Sequence, residues 1–327
     1  MMRLRPAALL FALFLFAPAL SASALADWQA STVRTPGRVS EIDLADSDLR
    51  IAVGTNWYQF DAKAMRMVPA AALEHPAPPT GALADGRIAT GRDTVARAWL
   101  AEPTERYRHG VLGDAIEAGS LVIEPREGGQ RTLRLDGDAV FEDLEPRVAA
   151  IGGRERIVLV KSYLKRGSAL VVIDPVSTAI VAETPPIGHA YAWLNPAGIA
   201  DFDGDGTTDI VLVRQPHVVG ILEMWSWRHD RLEKSAEISD VSNHFIGSRS
   251  LHMSFTADFD GDGHPDLAVP DLERRTLRLI GFVAGPHDIA RIRLPARIAT
   301  NIGGVKYRDR PALVFGLEDG RLMLVHD

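Results

Sequence analysis

The chain contains no cysteine, which excludes a disulfide scaffold, a lipid-modified cysteine and a thiol nucleophile. After residue 26 no apolar run approaches the roughly 20 residues that a membrane-spanning helix needs, so no span is expected in the mature chain. Apolar residues with a helical period are nearly absent, which argues against a helical bundle. G-x-S-x-G, H-E-x-x-H and a glycine-rich phosphate loop are missing too, so no catalytic motif marks an enzyme. Basic residues are in deficit: 36 Lys and Arg against 43 Asp and Glu give a net charge of −7. That balance argues against a nucleic-acid backbone as partner.

What is present begins with a targeting signature. Residues 1–26 carry Arg3 and Arg5, an apolar run over 7–20, and small residues ending Ala24-Leu25-Ala26. This pattern predicts an export signal cleaved between Ala26 and Asp27, leaving a periplasmic or secreted chain, 27–327, with a charge of −9 once the two arginines are gone. About 300 residues is ample for a large core. The reading is one domain that folds without covalent staples.

A repeat sets the expected architecture. Short segments align at RVSEI (38), RIATG (87), RVAAI (147), GIADF (198), FTADF (255) and RIATN (297), with one column of small residues: Ser40, Ala89, Ala149, Ala200, Ala257 and Ala299. The spacings of 49, 60, 51, 57 and 42 residues fit a four-stranded unit and fall in the range of propeller blades. Strand-like runs follow, such as 209–213, 221–227 and 232–238 after Ala200, and 156–160, 169–174 and 179–183 after Ala149. Small residues suit an innermost strand, because blades converge on the central axis. The prediction is an all-β propeller of six blades, or seven if the 60-residue unit hides another. The last unit is read as strands at 297, 312 and 321, one short, and residues 27–36 are expected to complete it and close the ring.

Two segments concentrate acid. DFDGDGTTDIVL (201–212) and DFDGDGHPDLAV (258–269) place aspartates at 201, 203, 205 and 209 and again at 258, 260, 262 and 266. Carboxylates at alternate positions of a tight loop converge on one point, suiting a hard cation that takes six to eight oxygens. Gly206 and Gly263 permit the turn, and Phe202 and Phe259 are expected to point away into the sheet. The twelfth positions, Leu212 and Val269, exclude an EF-hand. In three other units arginine (Arg50, Arg156, Arg310) stands where the ninth aspartate would.

These two segments, inside a repeating β unit, resemble the FG-GAP or VCBS repeats of integrin α-subunit propellers and many bacterial exported proteins. The motif match is close in two units and degenerate or absent in four. The resemblance implies about two calcium ions, ligated by Asp201, Asp203, Asp205 and Asp209 with the Thr207 carbonyl, and by Asp258, Asp260, Asp262 and Asp266 with the His264 carbonyl. It also implies that these loops join the first and second strands of their blades.

Segments leading into the first strands of these two blades, GHAYAWLNP and SNHFIGSRSLHM, are rich in aromatic, histidine and arginine side chains. His189, Tyr191, Trp193, His244, Arg249 and His252 are the candidates for a ligand surface on the opposite face, with Phe245 beside them. Packing between blades is the competing reading of the same residues. The expected function is a monomeric, exported, calcium-binding interaction module for a carbohydrate or protein ligand. The alternative is a periplasmic or secreted polysaccharide lyase or hydrolase with His189, Tyr191 or His252 as acid or base.

Overall fold

Short apolar, β-branched runs ended by Gly, Pro or Asp fold as strands here. The computed structural model describes residues 27–45 and 48–327, and the expected export signal lies outside them. Antiparallel sheets follow one another as six blades. Blade one is Val39–Ala45, Asp48–Val53, Asn56–Asp61 and Arg66–Ala70. Blade two has Val95–Thr104, Glu117–Pro125 and Arg131–Arg134, with its innermost strand reduced to bridges Ala82–Ala101 and Ala89–Ala98. Blade three is Arg147–Ile151, Arg154–Tyr163, Gly167–Asp174 and Ala179–Glu183; blade four is Leu194–Ala200, Asp209–Arg214, Ile221–Arg228 and Arg231–Ser239. Blade five is Phe255–Ala257, Asp266–Pro270, Thr276–Gly281 and His287–Arg293; blade six is Gly303–Tyr307, Arg310–Gly316 and Leu322–His326.

The amino-terminal strand Gln29–Val33 pairs antiparallel with Leu322–His326, Gln29 opposite His326 and Val33 opposite Leu322. It is the outer strand of blade six, as expected. Apolar side chains then join the blades face to face. One cluster runs through blades two, three and four, another joins four to five, a third five to six, and a fourth six to one. Blades one and two meet through polar groups: buried Asp43 accepts from Arg87 Nη2 at 2.8 Å and lies 2.7 Å from His75 Nε2. The ring is closed, and the fold is an all-β propeller.

The long second unit does not hide a seventh blade. Its extra length goes into a loop at 105–116 and a short strand, Ala139–Phe141, which pairs with both Glu117–Pro125 and Arg154–Tyr163 and fuses blades two and three into one sheet. The chain then leaves the sheet at 142–146 before resuming as Arg147–Ile151. Asp143 occupies the gap: its Oδ2 accepts the Val160 amide at 3.1 Å and pairs with Arg147 at 2.7 Å.

The small-residue column is correct in four blades and offset in two. Ala89–Ala98, Ala149–Arg156, Ala200–Asp209 and Ala257–Asp266 are equivalent partners beside the first hairpin. Ser40 lies at the other end of its strand, at a bulge between Val39 and Glu41. Ala299 precedes the innermost strand of blade six, which starts at Gly303, so the strand read at 297 is displaced. Gly303 and Gly304 are the small residues there, and a Cβ on Gly304 would meet the Phe255 ring at 2.1 Å.

In an up-and-down blade the hairpins between strands one and two, and three and four, open on one side, here the hairpin rim. All other connections open on the opposite, upper face. At the rim, Glu155 of blade three inserts into the loop of blade two. Its carboxylate accepts the amides of Asp93, Thr94 and Val95 at 2.9, 2.7 and 2.9 Å, and that of Arg92 as well. Burial alone would raise this carboxyl, but the four N–H donors hold it below its ordinary range.

Two outcomes are expected. Deleting residues 27–36 uncovers the edge strand Leu322–His326 and the free face beside it, so the truncated protein aggregates; a truncation that stays monomeric by light scattering and melts like the full chain contradicts ring closure by this strand. Glu155→Ala leaves four amides without their acceptor and lowers stability by about 3 kcal/mol, measured by urea unfolding.

Candidate functional site

The first hairpins of blades four and five are the acidic loops. In one, oxygens of Asp201, Asp203 and Asp209 lie within 4.8 Å of one another; in the other, those of Asp258, Asp260 and Asp262 do. The two loops are built alike. Buried Asp209 anchors the first through its Oδ2, which accepts the Phe202 amide at 3.0 Å, and Asp266 does the same for Phe259 at 2.8 Å. Asp201 accepts the Gly206 amide and Asp258 the Gly263 amide, both at 3.0 Å. These glycines have φ of 83° and 89°, a conformation costly for any residue with a Cβ. Phe202 and Phe259 turn away as expected: Phe202 packs on Phe282 with centroids 4.9 Å apart, and Phe259 meets Trp28 edge-on at 5.5 Å.

The donor set suits a hard cation. Asp201 Oδ1 and Asp209 Oδ1 are buried with no hydrogen-bond partner among the described residues; Ser226, opposite Asp209 in the sheet, gives its hydroxyl to Ser235 at 2.9 Å. Orphaned carboxylate oxygens are costly to bury. Burial raises Asp209 above the usual carboxylate range, and burial together with Asp260, Asp262 and Asp258 pushes Asp266 up to about 7. A cation at the centre of each loop would reverse both shifts.

The remaining sequence-assigned ligands sit differently. Asp205 is drawn to Arg228 Nη2 at 2.6 Å, outside the converging trio, and also takes the Thr207 amide at 2.8 Å. Asp266 is outside the trio of its own loop, committed to Phe259. His264 donates its amide to Asp262 at 2.8 Å, and its ring lies against Gly204, where a Cβ would come within 2.5 Å. The two loops therefore touch. Arg228, which also lies 3.8 Å from Asp203, is a participant that repeat spacing does not reveal, because it comes from the third strand of its blade.

On the upper face the six ligand candidates separate. Trp193 is 2% exposed and His244 1%, so neither forms a ligand surface: they are packing between blades. Trp193 Nε1 donates to the Glu142 carbonyl at 3.1 Å, and its ring meets His244 at 4.7 Å. His244 Nε2 lies 2.9 Å from the Ser248 carbonyl, which can only accept, so the proton is on Nε2 and Nδ1 accepts from His217 Nε2 at 2.9 Å. Burial, and then the other imidazole, hold His244 down to about 3; burial foremost holds His217 at about 4. Both are neutral spacers.

The other four candidates reach the surface. Tyr191 is 54% exposed, with φ of 60°, and stacks on buried Tyr107 at 5.1 Å. His189 is exposed near Gln215. Arg249 spans Asp85 and Asp114, each at 2.9 Å, and His252 pairs with Glu145. Arg249 and His252 line a cavity of about 370 Å³ to which blades one, two, three, five and six all contribute, so it lies on the axis. The 105–116 loop reaches across toward it: the Gly247 amide donates to the Val111 carbonyl at 2.8 Å. A larger cavity, about 810 Å³, lies on the hairpin rim between blades six and one, floored by Phe60, Phe255 and Val305.

Beneath the loop lie buried acids that sequence reasoning missed. Glu142 is fully buried, 2.6 Å from His109 Nδ1, with Ser162 donating to its other oxygen. Burial raises its carboxyl despite these partners. Glu117, also buried, is raised by burial and by Glu142. Their spacing from one another follows no motif, because one ends the loop and the other begins the interruption in blade three.

Residues 201–269 match the family model described as FG-GAP-like repeat, which covers both acidic loops. No curated protein matches the chain. Among solved structures, that of BBS1N in complex with ARL6DN, soaked with mercury, is similar at 11% identity over 86% of this chain and 87% of that one, with a TM-score of 0.35. Among the described residues no helix is long and apolar enough to cross a membrane.

Truncation separates packing from surface. Trp193→Ala is expected to lower stability by about 3 to 5 kcal/mol, whereas Tyr191→Ala, on the exposed side of the stack, costs about 1 kcal/mol or less. Equal losses in thermal melts of the two variants contradict this assignment.

Proposed function

We propose that this chain is an exported, calcium-stiffened β-propeller that acts as a binding module and not as an enzyme. The observation that carries this is the pair of touching loops in blades four and five, each converging three carboxylates, the first with two orphaned oxygens. Calcium fits such sets better than magnesium, which prefers octahedral geometry and retains its waters. Asp201, Asp203 and Asp209 would hold one ion, and Asp258, Asp260 and Asp262 the other; the ions supply the positive charge these rim hairpins lack. Asp205 and Asp266, and the carbonyls of Thr207 and His264, are reserve ligands reached by small rotations of the loops.

The ligand, a carbohydrate or a protein segment, is received on the upper face. That face supports the reading because it combines an axial cavity with exposed Tyr191, His189, Arg249 and His252 on loops held by the blades beneath. Residues 1–26 support export to the periplasm or beyond, with cleavage near Ala26/Asp27.

Calcium at a hundredfold excess over its dissociation constant should stabilise the mature chain by about 2.7 kcal/mol per site, with dissociation constants on the order of 10⁻⁴ to 10⁻³ M as in extracellular modules. Asp201→Asn with Asp258→Asn should remove the shift. Melting temperatures that are identical with calcium and with chelator, together with no calcium by elemental analysis, overturn the metal reading. Turnover of acidic polysaccharides by the purified chain overturns the non-enzymatic one.

A further inference from the structure

We infer that the axial cavity on the upper face receives a basic side chain, arginine or lysine, presented by a protein partner. This rests on the reading that the upper face is the binding face, and it narrows the ligand to one chemistry.

The charges at the mouth decide the sign. Glu41 of blade one, Asp85 of blade two and Glu145 of blade three all line it. Its two guanidinium groups are already engaged: Arg87 with Asp43 at 2.8 Å, and Arg249 with both Asp85 and Asp114 at 2.9 Å. His252 is engaged with Glu145. Glu41 is exposed and has no charged or hydrogen-bonding side-chain partner among the described residues. The charge left over is therefore negative. Arg274, which stacks on Phe245 at 4.7 Å, gives Nη1 to the Ile298 carbonyl at 2.6 Å and is not part of the cavity wall.

Size and lining fit a side chain. About 370 Å³ is at the small end of ligand pockets, enough for one long side chain and its backbone. Leu44, Leu144 and Leu251 on the wall offer apolar surface to the methylene stem while the charged head meets the acids. An acidic polysaccharide would meet like charge instead.

The test titrates blocked tripeptides, Gly-Arg-Gly, Gly-Lys-Gly and Gly-Glu-Gly, into the mature chain at low ionic strength by calorimetry. The arginine and lysine peptides are expected to bind and the glutamate peptide not to. Glu41→Gln should weaken the arginine peptide about fivefold, as expected for loss of one close charge partner. Glu237→Gln, an acid on the outer strand of blade four, should leave it unchanged. Both variants should melt like the parent, since both side chains are exposed. Failure of all three peptides to bind overturns the proposal, as does arginine-peptide binding that Glu41→Gln does not alter. Binding of the glutamate peptide alone, abolished by Arg249→Ala, reverses the charge and keeps the upper face. A ligand whose affinity survives Glu41→Gln, Arg249→Ala and Tyr191→Ala together would overturn the upper-face reading itself.

Discussion

Everything in this ring depends on the hairpin that turns each innermost strand back into its second strand. Blades converge there, loops from neighbouring blades touch, and backbone and side-chain charge is concentrated. The chain meets this constraint in three ways. Blade two closes its amides around a carboxylate, Glu155. Blade three puts Arg156, opposite Ala149, in the position that Asp209 and Asp266 occupy opposite Ala200 and Ala257. Blades four and five turn carboxylates inward around a centre. Blade six largely avoids the problem, with a hairpin whose flanking pair, Tyr307–Arg310, leaves only two residues in the turn.

These devices also tie each blade to the next. Glu155 reaches from blade three into two, while Arg156 lies 4.0 Å over the Trp227 ring of blade four. Thr208 returns the contact, its hydroxyl donating to the Ala150 carbonyl at 3.2 Å. His264 of blade five rests on Gly204 of blade four, and Trp28, just before the closing strand, packs on Phe259 of blade five. A continuous interlock thus runs along the rim from blade two to blade six. Between blades six and one the rim opens into the larger cavity.

Much of this was legible in the residues. Aspartate spacing located both acidic loops and their glycine turns, the period pointed to six blades with a seventh left open, and a last unit one strand short beside a spare amino-terminal strand gave the closure. Exposure was not legible. Trp193 and Tyr191 are two residues apart, yet one is buried and the other 54% exposed, because Tyr191 sits at positive φ in a loop while Trp193 is the last residue before a strand. Partners distant in sequence were hidden too. Glu155 and its loop are about 60 residues apart, and Arg249 and Asp85 are 164 apart; no spacing rule connects blades across a ring. The offset of Ser40 and Ala299 has a related origin. Small residues are common in this chain, and only strand register shows which of them faces a hairpin.

The two faces handle charge differently, and the difference follows from what surrounds each acid. On the rim, among the described residues only Arg228 lies close to the aspartates of blade four, and amides supply the other hydrogen bonds to them, so an acidic excess is left there. On the upper face, side-chain pairs span the axis itself. Arg249 of blade five holds Asp85 and Asp114 of blade two, and His252 holds Glu145 of blade three. Although burial opposes it, His252, Arg147 and Arg87 hold the Glu145 carboxyl down to about 2. Cross-axis pairs cost conformational freedom in long side chains that would otherwise be solvated. They return it by fixing the lead-in loops of opposite blades relative to one another before any ligand arrives. A mouth built this way is pre-organised, and among the described acids that line it Glu41 is the one that the cross-axis network leaves unmatched.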